Sequence, residues 1–292
     1  MKNRMQDNTN RILLLALFGI SWLVLTGFEG CSQKAPTPTG REVFLESERT
    51  RIFMEDPAER DSALYLLANM QMQAMREAYP ALRAFNYSQY QRTEQFDEQG
   101  LLIAFREYVY RYLWRGGRQV RTLIESDSAG TFDFGYFRKF VSSTGIEAMP
   151  EDLSQYVLPD EPVFLAPRGQ ELYVFRLRPD TLMWDRVART VEIRARPGVG
   201  DFQGIRLVRL YIDRATNYLI GAYLERMELA LLFKEQSAFY LDIRPIEDHW
   251  VPNNARFETL VGLPFSAPRH FRTVATFYDY EPVEERSVAP SG

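Results

Sequence analysis

Few residues in this 292-residue chain are equipped for chemistry, and one stands apart: Cys31 is the single cysteine. It follows an uncharged run at 12–28 (ILLLALFGISWLVLTGF), which is preceded by Lys2, Arg4 and Arg11 and followed by Glu29 and Gly30. A basic start, an apolar centre and a small residue before a cut make up the plan of a secretory signal. A lone thiol in an exported protein has no intramolecular disulfide partner. Lipid attachment is its natural use. The two histidines, His249 and His270, are not spaced as metal ligands, and neither a Gly-x-Ser-x-Gly elbow nor a phosphate-cradling glycine loop occurs. Asp248-His249 beside Trp250 has the composition of an acid/base pair and equally of a turn at a strand end. Asp160-Glu161 and Glu284-Glu285 sit among prolines, where solvated carboxylates are the default. The arginines of 175–179 (FRLRP) suit the wet face of a strand, or a cavity mouth that attracts lipid phosphate. These patterns predict no catalytic residue, no metal and no cofactor.

The surroundings of Cys31 resemble a bacterial lipoprotein signal, in which the chain is cut just before a cysteine that becomes the acylated first residue, carrying fatty acid such as palmitate. Gly30 fits the position before the cut. An uncleaved signal anchor is the alternative, since 17 apolar or small residues are about the minimum spanning length. The stretch 32–40 (SQKAPTPTG) reads as an extended tether, because Pro, Thr and Gly keep a linker from packing. The organisation is therefore a signal at 1–30, a lipidated tether at 31–40, one domain at 41–285 and a flexible tail at 286–292. Membrane attachment through Cys31 is expected. Ser32 lacks the acidic character of an inner-membrane retention signal, so the outer membrane, periplasmic face, is preferred over the inner membrane. Removing residues 1–30 takes three basic and two acidic residues from a chain of net charge −4 and leaves −5. An acidic body does not hold nucleic acid by counterion release.

One strong helix opens the domain. Asp56 caps it, Pro57 suits its first position and Glu59 stands where a capping box requires. Ala63, Leu66, Leu67, Met70, Ala74 and Ala78 recur at helical spacing, and Pro80 stops it. Leu64, Met72 and Met75 widen the apolar face beyond half the circumference, so the helix is expected to be largely covered. The methionines would fill irregular core gaps or adapt to a flexible ligand. After Pro80 the pattern is strands. In 105–114 (FREYVYRYLW), Tyr108, Tyr110, Tyr112 and Trp114 share one face and both faces are partly covered. Val191, Ile193 and Ala195 oppose a wet face of Glu192, Arg194 and Arg196. Alternation continues through Val208, Leu210 and Ile212; through Met227, Leu229, Leu231 and Phe233; through Phe239, Leu241 and Ile243; and through Phe271, Thr273, Ala275 and Phe277. The connections at 98–100, 115–117, 197–204 and 213–217 are too short for helical crossovers, so the sheet is antiparallel. The fold class is mainly β with α: a curled antiparallel sheet, an incomplete β-barrel, wrapped around one or more helices.

The order of these segments resembles the LolA/LolB-type lipoprotein-carrier fold and its outer-membrane lipoprotein-sorting relatives. The segments are the helix, 85–97 (FNYSQYQRTEQFD), 101–114, 204–224 (GIRLVRLYIDRATNYLIGAYL), 240–258 (YLDIRPIEDHWVPNNARFE) and 272–281 (RTVATFYDYE). Its motifs are Ile212-Asp213 followed by Thr216-Asn217, and Trp250-Val251-Pro252 before the closing strands. The stretch 130–171, broken by Pro150, Pro159, Pro162 and Pro167, has no counterpart. The resemblance implies an apolar cavity for acyl chains between sheet and helix, and hence a non-enzymatic envelope lipoprotein that binds lipid or lipidated cargo. The alternative is a structural lipoprotein with a filled core that works through an envelope protein partner. A filled core has few voids larger than a water molecule, whereas a binding pocket holds roughly 300–1,000 Å3.

Overall fold

The computed structural model describes residues 55–115, 117–133, 152–199, 204–230, 233–262 and 268–283. Cys31, the run at 12–28, the tether, the tail and Glu284-Glu285 lie outside them. Ten strands form one sheet: β1 (Phe85–Phe96), β2 (Leu102–Arg115), β3 (Arg118–Ala129), β4 (Tyr173–Met183), β5 (Arg186–Ala195), β6 (Gly204–Asp213), β7 (Leu219–Ala230), β8 (Phe233–Ile246), β9 (His249–Gly262) and β10 (Arg269–Pro282). Their spatial order is β3-β2-β1-β10-β9-β8-β7-β6-β5-β4, antiparallel throughout. The sheet is open, with β3 and β4 as its edges. Among the described residues no helix is long and apolar enough to cross a membrane.

Side chains paired across antiparallel strands share a face, so the registers assign the two sides of the sheet. On the inner face stand Phe175 with Ile193, Val191 with Leu210, Val208 with Leu224, Leu241 with Ala222 and Ala255, and Phe239 with Phe257. All are buried. Helix α1 (Pro57–Ala68) lies on β4, helix α2 (Gln73–Ala81) on β7 and β9, and the short α3 (Ser154–Val157) on β7 and β8. Ala63, Leu67, Met75 and Ala78 close this core from the helix side. Burying each large side chain of this kind stabilises by about 1.5–3 kcal/mol. The turns follow their chemistry. Asp97 accepts from the Gln99 and Leu101 amides at 2.9 and 2.8 Å, and Gly100 takes the left-handed φ of 78° that a side chain would resist.

The fold departs from the sequence expectation at six points. The helix expected from Asp56 past Met70 is two helices. At the break the Gln71 amide donates to Asn217 O at 2.9 Å while Gln71 O accepts from the Leu219 amide at 3.0 Å, a parallel bridge to the β6–β7 turn. The amide of Asn69 turns to Tyr65 O and Leu66 O, and its side chain also donates to Tyr65 O. Pro80 lies inside α2 instead of ending it, and Tyr65, 69% exposed, shows that α1 is covered on one face only. Asp56 does cap, accepting from the Ala58 amide at 2.9 Å. Glu59 makes no capping box: its carboxylate accepts the Leu177 amide of β4 at 2.9 Å. The alternation through Met227, Leu229 and Phe233 spans a hairpin, since β7 ends at Ala230 and β8 begins at Phe233.

The last departure is the face bearing Glu192 and Arg194, which is not wet. Glu192 is 1% exposed, and its carboxylate accepts from Arg209 Nε at 2.9 Å and from Arg178 Nε and Nη2 at 3.1 and 3.0 Å; Arg194 Nη2 lies at 3.5 Å. Burial alone would raise the Glu192 pKa, but the bonds from Arg209 and Arg178 overcome it and hold the carboxyl below its ordinary value. Arg178 of the FRLRP segment is thus an internal partner of Glu192.

Candidate binding face

The inner face changes character where the helices stop. Along β1 its positions are Gln89, Gln91, Thr93 and Gln95, paired with Phe277, Ala275, Thr273 and Phe271 on β10 and with Tyr110, Tyr108, Arg106 and Ala104 on β2. On β3 the face continues through Arg121 and Leu123. Helices α1, α2 and α3 pack on β4 and on β7 to β9. The other part of the face is lined by amides, hydroxyls, tyrosine and phenylalanine rings and the guanidinium groups of Arg106 and Arg121.

An aromatic ladder links the two parts. Tyr108 stacks on Tyr110 (5.7 Å between centroids), Tyr110 meets Tyr112 edge-on (6.4 Å), and Tyr112 stacks on Tyr87 at 4.6 Å. Tyr87 passes the chain of rings to Tyr280 (5.9 Å) and to Phe277 (6.2 Å), and Phe277 meets Tyr79 of α2 at 6.0 Å. Tyr280 touches Phe85, which touches His249. The rings therefore run from half-exposed positions on β2 to fully covered ones beneath α2. Arg121 lies over the Tyr110 ring at 4.8 Å, and Arg106 over Phe132 at 5.0 Å.

Hydrogen bonds fix the polar members. Tyr112 donates its hydroxyl to Gln89 Oε1 at 2.8 Å, Gln119 donates to the Tyr87 hydroxyl at 3.3 Å, and the Thr93 and Thr273 hydroxyls are 3.1 Å apart. Gln95 holds the chain beyond β3 by two bonds, donating to Asp133 O at 2.8 Å and accepting the Asp133 amide at 2.7 Å. Burial raises the pKa values of Tyr79 and Tyr87, helped at Tyr79 by the charge of Asp152 and at Tyr87 by Tyr112. These phenols stay neutral at physiological pH. Such a face offers ring surface for dispersion and neutral donors and acceptors for orientation.

The residues that sequence reasoning singled out for chemistry are dispersed. Asp248 and His249 are exposed in the β8–β9 turn, where Glu247 has a left-handed φ of 52°. This is the strand-end turn. His270 stacks on Phe96 at 4.8 Å, and burial together with the Arg272 charge lowers its pKa to about 4. Asp160 and Glu161 are exposed, and the Asp160 carbonyl accepts from Arg76 at 3.0 Å. Cys31 falls outside the described residues. Tyr108, Tyr110 and Tyr112 stand on one face as their alternation predicts. The glutamines of β1 were missed. Their signal is present in 85–96 as every second residue from Gln89, but amides in alternation read as the solvent side of a strand.

The protein is thus an open antiparallel sheet curled over helices. Solved structures similar to it include a LolA superfamily protein from Nitrosomonas europaea (9% identity, 76% of this chain and 94% of that one, TM-score 0.23). Two others are a DUF1329 family protein from Desulfovibrio piger (10% identity, 78% and 95%, TM-score 0.23) and an outer-membrane lipoprotein-sorting protein domain from Vibrio parahaemolyticus (10% identity, 77% and 94%, TM-score 0.28). No family model and no curated protein matches the chain.

Proposed function

We propose that this chain is a non-catalytic envelope lipoprotein, anchored in the outer membrane through an acylated Cys31, that takes a hydrophobic ligand on the inner face of its sheet. The ligand class is an acyl chain, of a lipid or of lipidated cargo, with its polar end free to meet amides. One observation carries this reading: the aromatic ladder that leads from beneath α2 onto the half-exposed rings of β2. Half-exposed rings in a row favour an apolar occupant, because covering them removes their area from water at about 25 cal/mol per Å2. Neutral donors such as Gln89 and Gln91 orient such a ligand without the cost of burying a charge.

The test is direct. The full chain, purified in a mild detergent, should bind a fluorescent fatty acid saturably, at micromolar affinity or about −8 kcal/mol. Lipid should also be recovered from it by extraction and mass spectrometry. Replacing Tyr108 and Tyr110 together by Ser should weaken binding about tenfold, roughly 1.4 kcal/mol. Neither residue belongs to the buried core, so the variant should fold. Saturable binding untouched by the double variant would move the site elsewhere, and no saturable binding by the wild type would overturn the reading.

A second reading is favoured by the inner face beneath the helices, where Met75, Phe164, Phe175, Phe239 and Leu210 are all under 2% exposed. There the protein would be a filled scaffold acting through an envelope partner. It predicts no lipid recovery and no dye binding.

A further inference from the structure

The two edges of the sheet are treated differently. At β4 the outward amides are capped by carboxylates from the start of the described chain: Phe175 N donates to Glu55 at 3.4 Å and Leu177 N to Glu59 at 2.9 Å. At β3 all twelve side chains are exposed, so neither face of that strand is covered. A long bare edge is a template for another strand, and proteins commonly blunt it with charge, Pro or a covering element. The charges on β3 are not distributed to repel. Arg118 and Arg121 occupy its first half, Glu125 and Asp127 its second, and the exposed Val120 (41%), Leu123 (51%) and Ile124 (63%) lie between them. A bulge at the centre separates the halves, since Leu123 and Glu125 face the consecutive Tyr110 and Val109 of β2 and leave Ile124 as the extra residue.

We propose that β3 is a self-association edge, whose occupant is β3 of a second copy of this chain running antiparallel about an axis near Leu123. The sequence of the strand is the argument. An antiparallel pairing of a strand with itself lays its beginning against its own end. Because the bulge at Ile124 exchanges the faces, the register that matches them sets Arg118 of each copy against Asp127 of the other, an ion pair at each end of the seam, with Thr122 and Leu123 of the two copies meeting at the axis. A parallel pairing in register would stack Arg on Arg and Glu on Glu, which is repulsive. The two-fold axis of the antiparallel pair stands perpendicular to the sheet, so the inner faces of both copies stay on one side. The two ladders of Tyr108, Tyr110 and Tyr112 then become neighbours on a single trough. This pairing stands whether or not that face takes a ligand.

The experiment uses the full chain in membranes and in detergent. Leu123→Cys should give a disulfide-linked band at twice the monomer mass on a non-reducing gel, because residues near the axis bring their Cβ atoms within bridging range. The wild type, with Cys31 alone, should not give it. In that background Arg118→Glu with Arg121→Glu should lose the band, and so should Glu125→Arg with Asp127→Arg. Co-expression of the two charge variants should restore it. Sedimentation of the same proteins without Leu123→Cys should show each variant dimerising at least tenfold more weakly than the wild type, and their mixture recovering. All four positions are exposed, and recovery on mixing certifies that both variants are folded. A wild type that is monomeric and gives no crosslink, or a variant that dimerises alone as the wild type does, would overturn the proposal.

Discussion

Buried charge distinguishes this protein residue by residue. Glu192 is surrounded by three arginines, and Glu94, 3% exposed, accepts from Arg92 at 2.8 Å and from Arg272 at 2.7 Å. Asp242, also 3% exposed, has neutral donors instead: Asn253 at 2.7 Å, Tyr240 at 2.8 Å, Asn254 at 3.2 Å and Trp184 at 3.3 Å. Burial raises the Asp242 pKa against those four bonds. His270 has the plainest pH consequence. Its folded pKa of about 4, below the ordinary 6.5, means that the unfolded chain binds the proton more readily. Stability should therefore be full above pH 6.5 and fall as pH drops toward 4, by a few kcal/mol at most, since one pKa unit is about 1.4 kcal/mol. Thermal melts of the wild type and of His270→Phe between pH 7 and pH 4.5 check this: the variant should lose less melting temperature over that span. Equal slopes would show that His270 is not the group that titrates.

Among the elements, what could be read in advance depended on whether one physical asymmetry ruled the segment. β5, β6, β8 and β10 were legible because one side of each is apolar and the alternation shows it, and β2 was legible by its alternating tyrosines although both its faces are partly covered. β3 was not, since RQVRTLIESDSA has both faces in water and so no pattern to reveal. The split of the first helix was equally hidden. Residues 69–72 contain no Gly or Pro, and the break is made by Asn217 and Leu219, remote in sequence, whose backbone captures Gln71. At the candidate face the tyrosines were legible by spacing, whereas the glutamines of β1 were not, because burying an amide depends on partners such as Tyr112 and Asp133 that lie on other segments. The same reasoning explains Glu59, which serves a strand edge and not its own helix. Replacing Glu55 and Glu59 together by Ala should cost about 1 kcal/mol per lost bond. It should also uncover β4, increasing light scattering of the protein on mild heating. Unchanged scattering would mean that the carboxylates do not guard that edge.

At the scale of the whole molecule, attachment turns on a single atom. If Cys31 carries acyl chains, Cys31→Ser should abolish labelling by a radioactive fatty acid, and the wild type should stay with membranes through a high-salt wash, because several chains anchor stably where one does not. Labelling of Cys31→Ser, or none of the wild type, would instead favour an uncleaved anchor at 12–28. The strand order carries a consequence of another kind, for folding. β1, near the start of the body, finds its neighbour in β10 at the end, and the Thr93 and Thr273 hydroxyls that meet across this seam are 180 residues apart. The β4-to-β10 meander can zip up by local hairpins, each closing a short loop. The β1–β2–β3 ribbon can make its own hairpins but cannot join the sheet until the last strand has been made. Contacts of such sequence separation slow folding, so docking of the ribbon onto β10 is expected to come late, and a variant that weakens this seam, such as Thr273→Ala, should speed unfolding more than it slows refolding. Any cell that makes this protein must keep the ribbon from wrong partners until its final strand arrives.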